Sequence, residues 1–460
     1  MTKLYLILSF IFISISIQAQ WSELGGDSSL KANNYASVCA IDSKGNVYTG
    51  GFFTNEFGKY YLAKFDGKQW VEVGKNSNLK FNSPIYSIYI DKKDNIYIGG
   101  SFSDSISTDQ YVGNCKYYVA KFNGKEWSLL DYDCSINKIL FSRKWSYVKS
   151  LNGDSKGNIY AVIDDNEIYN NEAPVLKFDG VKWQYLLDSN LRSKFYNFKD
   201  VKCDKFDNIY INCMRTKYQD NPVILKSGNG SSWENLVGFD TLTSEISFNC
   251  FDIDTFNNIY IGSFSLNTYE NYLIKHDGKK WIELKKFKKK RPWAIKVDFN
   301  QNIYTLLYSG GGYSKLNFAY FEGKNWIETE ILRQKNNSAH STLSSICSDN
   351  KGNVFVATEF DPYYNKYYVL KYNSLGLSSI SNQKRESFSI APNPCSNCEL
   401  ITSKHIDAKD YSVIDVLGKQ VNATFDKSSN GYRIILPEES QGIYFLQNNQ
   451  SGEVMRFMKE

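Results

Sequence analysis

The chain has 460 residues, 42% hydrophobic and 22% charged, with 34 Tyr and 29 Phe but only 8 Pro. This composition excludes global disorder, and the length exceeds one ordinary core, so several domains or a repeat array are expected. The formal net charge of +5 is small and the two signs are interleaved, which excludes a nucleic-acid binder with basic charge gathered on one face.

In chain order, Lys3, the apolar run from Leu4 to Ile17 and the small-residue site Ile17-Gln18-Ala19 read as a secretory signal over residues 1–19. The run is short for a bilayer core of about 30 Å, and no later apolar stretch is long enough to span, so no transmembrane segment is expected after signal removal. An exported chain can form disulfides, and its nine cysteines leave at least one unpaired. Cys115 and Cys134 flank a strand pair, whereas Cys395-Ser396-Asn397-Cys398 lacks the βαβ context of a redox motif.

Residues 20–373 hold a repeat. Gly45-Asn46-Val47-Tyr48 recurs around Asn95, Asn158, Asn208, Asn258 and Asn302, and as Gly352-Asn353-Val354-Phe355, giving seven copies. The spacing, roughly 45–60 residues, is that of propeller blades. In the first six copies a Gly follows and leads to a Trp, as in Lys64-Phe65-Asp66-Gly67 before Trp70 and Asp277-Gly278 before Trp281. Asp-Gly and Asn-Gly accept the positive φ of a tight hairpin turn, so each unit reads as four strands with two tight turns at one end. The seventh unit lacks its Trp strand, but Trp21-Ser22-Glu23-Leu24 matches Trp70-Val71-Glu72-Val73. The expected fold is all-β: a seven-bladed β-propeller closed by the N-terminal strand, which removes free sheet edges.

An aspartate (Asp42, Asp91, Asp154, Asp204, Asp254, Asp298, Asp349) opens each first tight turn. Asx-type hydrogen bonds to nearby backbone N–H groups account for it more simply than calcium. No metal and no cofactor are expected. The long loops, including 52–60, 102–117, 162–174 and 307–318, and the connections 74–84, 131–146 and 284–292 all fall at the other end. That face is where a ligand is expected.

The sharpest local feature is the basic run through Lys288, Lys289, Lys290 and Arg291, followed by Pro292 and Trp293. Placed in a blade-to-blade connection, it reads as a solvated loop or a seat for an acidic polysaccharide. Trp145 and Trp293 lie outside the blade repeat and read as core plugs or as stacking platforms for sugar rings.

A polar linker over residues 374–387 leads to a small β-sandwich over 388–460, with short alternating segments such as Tyr411-Ser412-Val413-Ile414-Asp415. Its motifs occur in order: Pro392-Asn393-Pro394, then Asp415 with Gly418-Lys419, then Gly442-Ile443-Tyr444, then Phe457-Met458-Lys459. Together they resemble the type A C-terminal sorting domain of the type IX secretion system. The resemblance implies passage by the Sec route and then across the outer membrane of a Gram-negative bacterium. It also implies recognition by the type IX machinery, and release or attachment at the cell surface.

No nucleophile elbow, P-loop, dinucleotide fingerprint or HExxH occurs, and three scattered histidines exclude a His-based site. No catalytic residue is singled out, and the adjacent Asp164-Asp165 read as solvated loop acids. The leading expectation is a non-catalytic module binding a glycan or a surface protein. Its rivals are a polysaccharide hydrolase or lyase using carboxylates or tyrosines at the channel mouth, and a structural or adhesive surface protein.

Overall fold

The structure is a computed structural model. It describes residues 20–26, 29–102, 118–130, 146–164, 174–215, 222–236, 246–265, 270–309, 315–321, 325–333, 345–349, 351–358 and 368–373 of a first unit. In a second unit it describes 388–391, 398–402, 409, 411–415, 420–428, 431–437, 442–448 and 454–459. The two compact units divide between Asn373 and Ser374.

The first unit consists of seven antiparallel four-stranded sheets. Sheets 1 to 7 begin with the inner strands Ala36–Ile41, Ser87–Ile90, Tyr147–Gly153, Phe195–Cys203, Ile246–Ile253, Lys290–Val297 and Ser345–Ser348. Each inner strand packs on the next, and the inner strand of sheet 7 packs on that of sheet 1. The fourth strand of sheet 7 is Gln20–Glu23, paired antiparallel with Tyr368–Asn373 in the register Trp21 to Tyr372.

Two outer-strand tryptophans make the same contact, one of them across this seam. Trp127 Nε1 of sheet 2 donates to the Val73 carbonyl at 3.0 Å, and Trp70 Nε1 of sheet 1 donates to the Leu24 carbonyl at 3.0 Å. Leu24 therefore stands to sheet 1 as Val73 stands to sheet 2. On the inner strands, Cys39 Sγ donates to the Ser345 carbonyl at 3.6 Å. Cys39, Cys203, Cys213, Cys250 and Cys347 are free thiols, while Cys115, Cys134 and Cys395 lie outside the described residues.

Between neighbouring sheets lie cores of alternating apolar side chains, such as Tyr160, Val162, Val175 and Leu225 between sheets 3 and 4. The approach is close enough to demand glycine. A Cβ at Gly51 would collide with the Tyr35 carbonyl oxygen, and one at Gly99 would come 2.5 Å from Val148 Cγ1. The single described helix, Ser189–Lys194, is capped by Asp188 and precedes sheet 4.

The second unit is two four-stranded sheets. One orders Phe388–Ala391, Cys398–Thr402, Gly431–Ile435 and Thr424–Ser428; the other orders Gln420–Val421, Tyr411–Asp415, Gly442–Asn448 and Val454–Lys459. Ile434 and Leu436 from one side pack with Tyr411, Val413, Tyr444 and Leu446 from the other. In the second sheet, Asp415 faces Tyr444, Tyr444 faces Phe457, and Gly442 faces Lys459, so the described motif residues share one sheet. Pro392, Asn393, Pro394, Gly418 and Lys419 lie outside the described residues.

Candidate functional site

At the tight-turn end the aspartate that opens each first turn is consumed by that turn. Asp254 Oδ1 accepts from the N–H groups of Phe256 and Asn258, while Oδ2 accepts from Asn258 Nδ2 at 2.6 Å and Tyr260 OH at 3.1 Å. The same set surrounds Asp42, Asp91, Asp154 and Asp204. The conserved spacing Asp-x-x-x-Asn-(Ile/Val)-Tyr is thus an Asx turn with a buried tyrosine hydroxyl as its fourth donor, as the Asx reading requires. A cavity of about 400 Å³ opens on this side between sheets 1 and 2, walled by Lys44, Tyr48, Lys64 and Asp94. Its acceptors are already engaged: Asp94 takes the Ser43 N–H and hydroxyl at 2.9 and 2.7 Å.

The opposite end differs. Inner strands bulge near their starts, between Ala36 and Val38, Val148 and Ser150, Tyr196 and Asp200, Phe248 and Cys250, and Pro292 and Ala294. Bulges re-aim side chains and recur at sheet rims beside functional sites. The residue five places before each turn aspartate stands at this level: Ser37, Tyr86, Lys149, Lys199, Asn249 and Trp293 in sheets 1 to 6. These six positions form one ring on the inner strands, although nothing in the repeat motif marks them.

On one side the ring carries aromatics. Tyr35 lies 5.3 Å from Phe52, Phe52 lies 5.5 Å from Tyr86 edge-on, and Tyr86 lies 4.1 Å from Tyr147 at an interplanar angle of 31°. All four rings are half-buried, and their contacts make a continuous arc over sheets 1 to 3. Next to them, in sheets 3 and 4, it carries two ammonium groups. Lys149 Nζ pairs with Asp164 Oδ2 at 2.7 Å, and Lys199 Nζ donates to Ser247 Oγ and the Phe248 carbonyl, both at 2.7 Å. Burial and the nearby Lys149 lower the Lys199 ammonium to about 8. Burial and the Asp164 carboxylate hold the Tyr147 phenol far above its ordinary value, and burial also raises Tyr86.

Beneath the ring, the remaining inner-strand acids are locked together. Asp200 accepts from Ser150 Oγ, Lys202 Nζ lies 3.8 Å from Asp200 and 3.5 Å from Asp252, and Lys296 Nζ lies 2.9 Å from Asp252. Burial opposes charge on Asp252, yet the Lys296 and Lys202 ammoniums outweigh it and keep its carboxyl below the ordinary range. This alternating chain ties sheets 3 to 6 and leaves no free carboxylate pair there among the described residues.

The structure relocates the basic run. Lys285, Lys286 and Lys288 belong to the outer strand Trp281–Lys288, Lys289 alone turns at φ 57°, and Lys290, Arg291 and Trp293 belong to the inner strand Lys290–Val297. The run joins sheet 5 to sheet 6, as expected of a blade-to-blade connection, but as paired strand with Lys289 alone between, not as a loop. Phe287, buried, anchors the strand while the lysines alternate outward. Three of the charges are met: Lys286 by Glu270 at 2.6 Å, and Lys285 and Lys290 by Glu328 at 3.6 and 2.8 Å. Arg291 lies 4.7 Å over the Phe264 ring, and Lys288 and Lys289 are exposed. Trp293 is half-buried near the start of the inner strand Lys290–Val297, the place that the core-plug reading gives it. Trp145 lies outside the described residues, as does Asp165; Asp164 ends the strand Ile159–Asp164 and is ion-paired, not a solvated loop acid. The residues at 307–309 and 315–318 are likewise strand, which shortens that expected loop.

Residues 389–459 match the family of the secretion system C-terminal sorting domain. The chain therefore carries a type IX sorting tail and is destined for the cell surface or beyond. No helix among the described residues is long and apolar enough to cross a membrane. No curated protein matches the chain. Among solved structures, an oligogalacturonate lyase in complex with manganese superposes with a TM-score of 0.51 at 9% identity, over 78% of this chain and 94% of the other. The extracellular domain of a hybrid two-component system from B. thetaiotaomicron gives 0.46 at 13%, over 95% of this chain, which spans only 52% of that one. Virginiamycin B lyase from Staphylococcus aureus gives 0.46 at 11%, over 77% and 99%. At these identities the likeness is one of β-propeller-like fold.

Proposed function

We propose that the chain is an exported binding module that takes a glycan at the mouth opposite the tight turns, after entry by the Sec route through residues 1–19. The carrying observation is the arc Tyr35, Phe52, Tyr86 and Tyr147, whose half-buried rings touch one after another, tilted or edge-on, and set a run of aromatic surface beside two ammonium groups. A pyranose ring has one C–H-rich face that packs on aromatic surface while its hydroxyls find polar neighbours. Tyr147 opens an inner strand, Tyr35 and Tyr86 directly precede theirs and Phe52 directly follows the strand Val47–Gly51, so the rings are anchored at sheet ends and little ordering entropy opposes binding.

The enzyme reading fares worse at this mouth. A hydrolase needs two carboxylates about 5–10 Å apart and free to act, but Asp164, Asp200 and Asp252 are engaged by lysines. A tyrosine base needs a phenolate, and burial pushes Tyr86 and Tyr147 the other way. The test is a screen of the full chain against neutral and acidic polysaccharides, reading binding by calorimetry and cleavage by new reducing or unsaturated ends. Binding without product, weakened about 10-fold by Tyr86→Ala or Tyr147→Ala, is expected. Product would overturn the module reading in favour of catalysis, and silence on both counts would favour a structural or adhesive role.

A further inference from the structure

Lys199 is the cation of the inner-strand ring whose charge is not met. An ammonium group has three donors; two go to Ser247 Oγ and the Phe248 carbonyl, both neutral. No carboxylate lies within ion-pair distance of it among the described residues, whereas Lys149, in the next sheet, has Asp164. Withdrawing a cation from water without an anion is costly, and a second ammonium nearby adds to the cost. A fold that builds this arrangement into a rigid bulge has left room for a negative charge supplied from outside. The aromatic arc ends at the neighbouring Lys149, since Asp164 is hydrogen-bonded to both Lys149 and the Tyr147 hydroxyl, and Lys149 is near enough to Lys199 for the two ammonium groups to repel.

We propose that Lys199 seats an anionic substituent, a carboxylate or a sulfate ester, of a glycan whose sugar ring lies on Tyr147 and Tyr86. The ligand class is then an acidic polysaccharide, and the third ammonium N–H of Lys199 is the donor that selects it. The exposed Lys288 and Lys289 take no part. This rests on the glycan reading above but fails separately from it.

Two measurements on the full chain test it. The first compares binding of oligogalacturonate with its methyl-esterified form, which keeps the sugar backbone and removes the charge. The charged form is expected to bind about 10-fold tighter, with Lys199→Gln erasing the difference between the two forms and Lys288→Gln leaving it intact. A charge preference that survives Lys199→Gln would overturn the seat and leave the glycan reading intact. The second needs no variant: the rate of reductive methylation at Lys199, read by mass spectrometry, with and without free galacturonate or inorganic sulfate. Slowed methylation upholds the seat even if no oligosaccharide binds, in which case the glycan reading falls alone. Protection by sulfate only would assign the sulfate ester. Unchanged rates with both anions would overturn the proposal.

Discussion

Asp254 is buried, and four donors converge on its carboxylate. Removing it orphans the Tyr260 hydroxyl in the core and two turn N–H groups at once. Asp254→Ala should therefore cost about 2–4 kcal/mol in urea unfolding. A chelator should leave the unfolding midpoint of the unmodified chain unchanged, since the carboxylate oxygens are spent on protein donors; a fall on chelation would return the turns to a calcium reading. Lys199 gives a pH test. Folded, it titrates near about 8; unfolded, it keeps its proton to about 10.4. Between those values the unfolded chain binds more protons, so the native state gains stability as pH rises through that window and is flat in this respect below it. Relative to Lys199→Met, the unmodified chain should thus stabilise steadily from about pH 8 to about pH 10. A difference independent of pH would show that the ammonium is not desolvated. The turn aspartates were legible because their function is local and recurs seven times. Lys199 was not, because its partners Ser247 and Phe248 lie one blade away. A signal existed all the same: counting five residues back from each turn aspartate collects Tyr86, Lys149, Lys199 and Trp293 in one column.

At the scale of single strands, the N-terminal segment Gln20–Glu23 has the most to answer for. Its Trp21 ring packs edge-on against Phe318 at 5.0 Å and beside Tyr372 at 5.1 Å, joining sheets 6 and 7. Trp21→Ala should cost about 3 kcal/mol. It should also loosen the outer edge of sheet 7, because the unpaired strand Tyr368–Asn373 would present free N–H and C=O groups to other molecules. Thermal unfolding with size-exclusion chromatography checks both effects; a variant equally stable and monomeric would mean that the strand is dispensable to the ring. This strand could be read from sequence since Trp21-Ser22-Glu23-Leu24 repeats a pattern seen elsewhere in the chain. The basic run misled for the converse reason. Six positive charges within seven residues look like a solvated loop, but Phe287 and Pro292 keep the alternation of strands, and Glu270 and Glu328 come from other strands, the preceding hairpin partner and the outer strand of sheet 6. Charge density alone does not distinguish a loop from the exposed face of a strand whose counter-charges sit on its neighbours.

For the whole molecule, the two compact units imply a division of labour that truncation can separate. The sandwich has its own core of Tyr411, Val413, Ile434, Leu436, Tyr444 and Leu446, and the seven sheets share none of it. Its motif residues Asp415, Gly442, Tyr444, Phe457 and Lys459 sit in register on one sheet, Tyr444 with its side chain in the core, so the motif depends on that sheet being folded as a unit. A chain ending at Asn373 should accordingly keep the thermal transition of the propeller within about 2 °C, since no core side chain is removed. The same chain should fail to cross the outer membrane and collect in the periplasm, where cell fractionation would find it. Removing only residues 454–460 strips the edge strand from the motif sheet and should block export equally, while leaving the propeller's binding of oligosaccharide untouched. If the truncated chain still reached the medium, export would depend on a signal in the propeller itself. If instead the propeller's transition fell, the two units would be energetically coupled, and the stability of the binding mouth would depend on the tail.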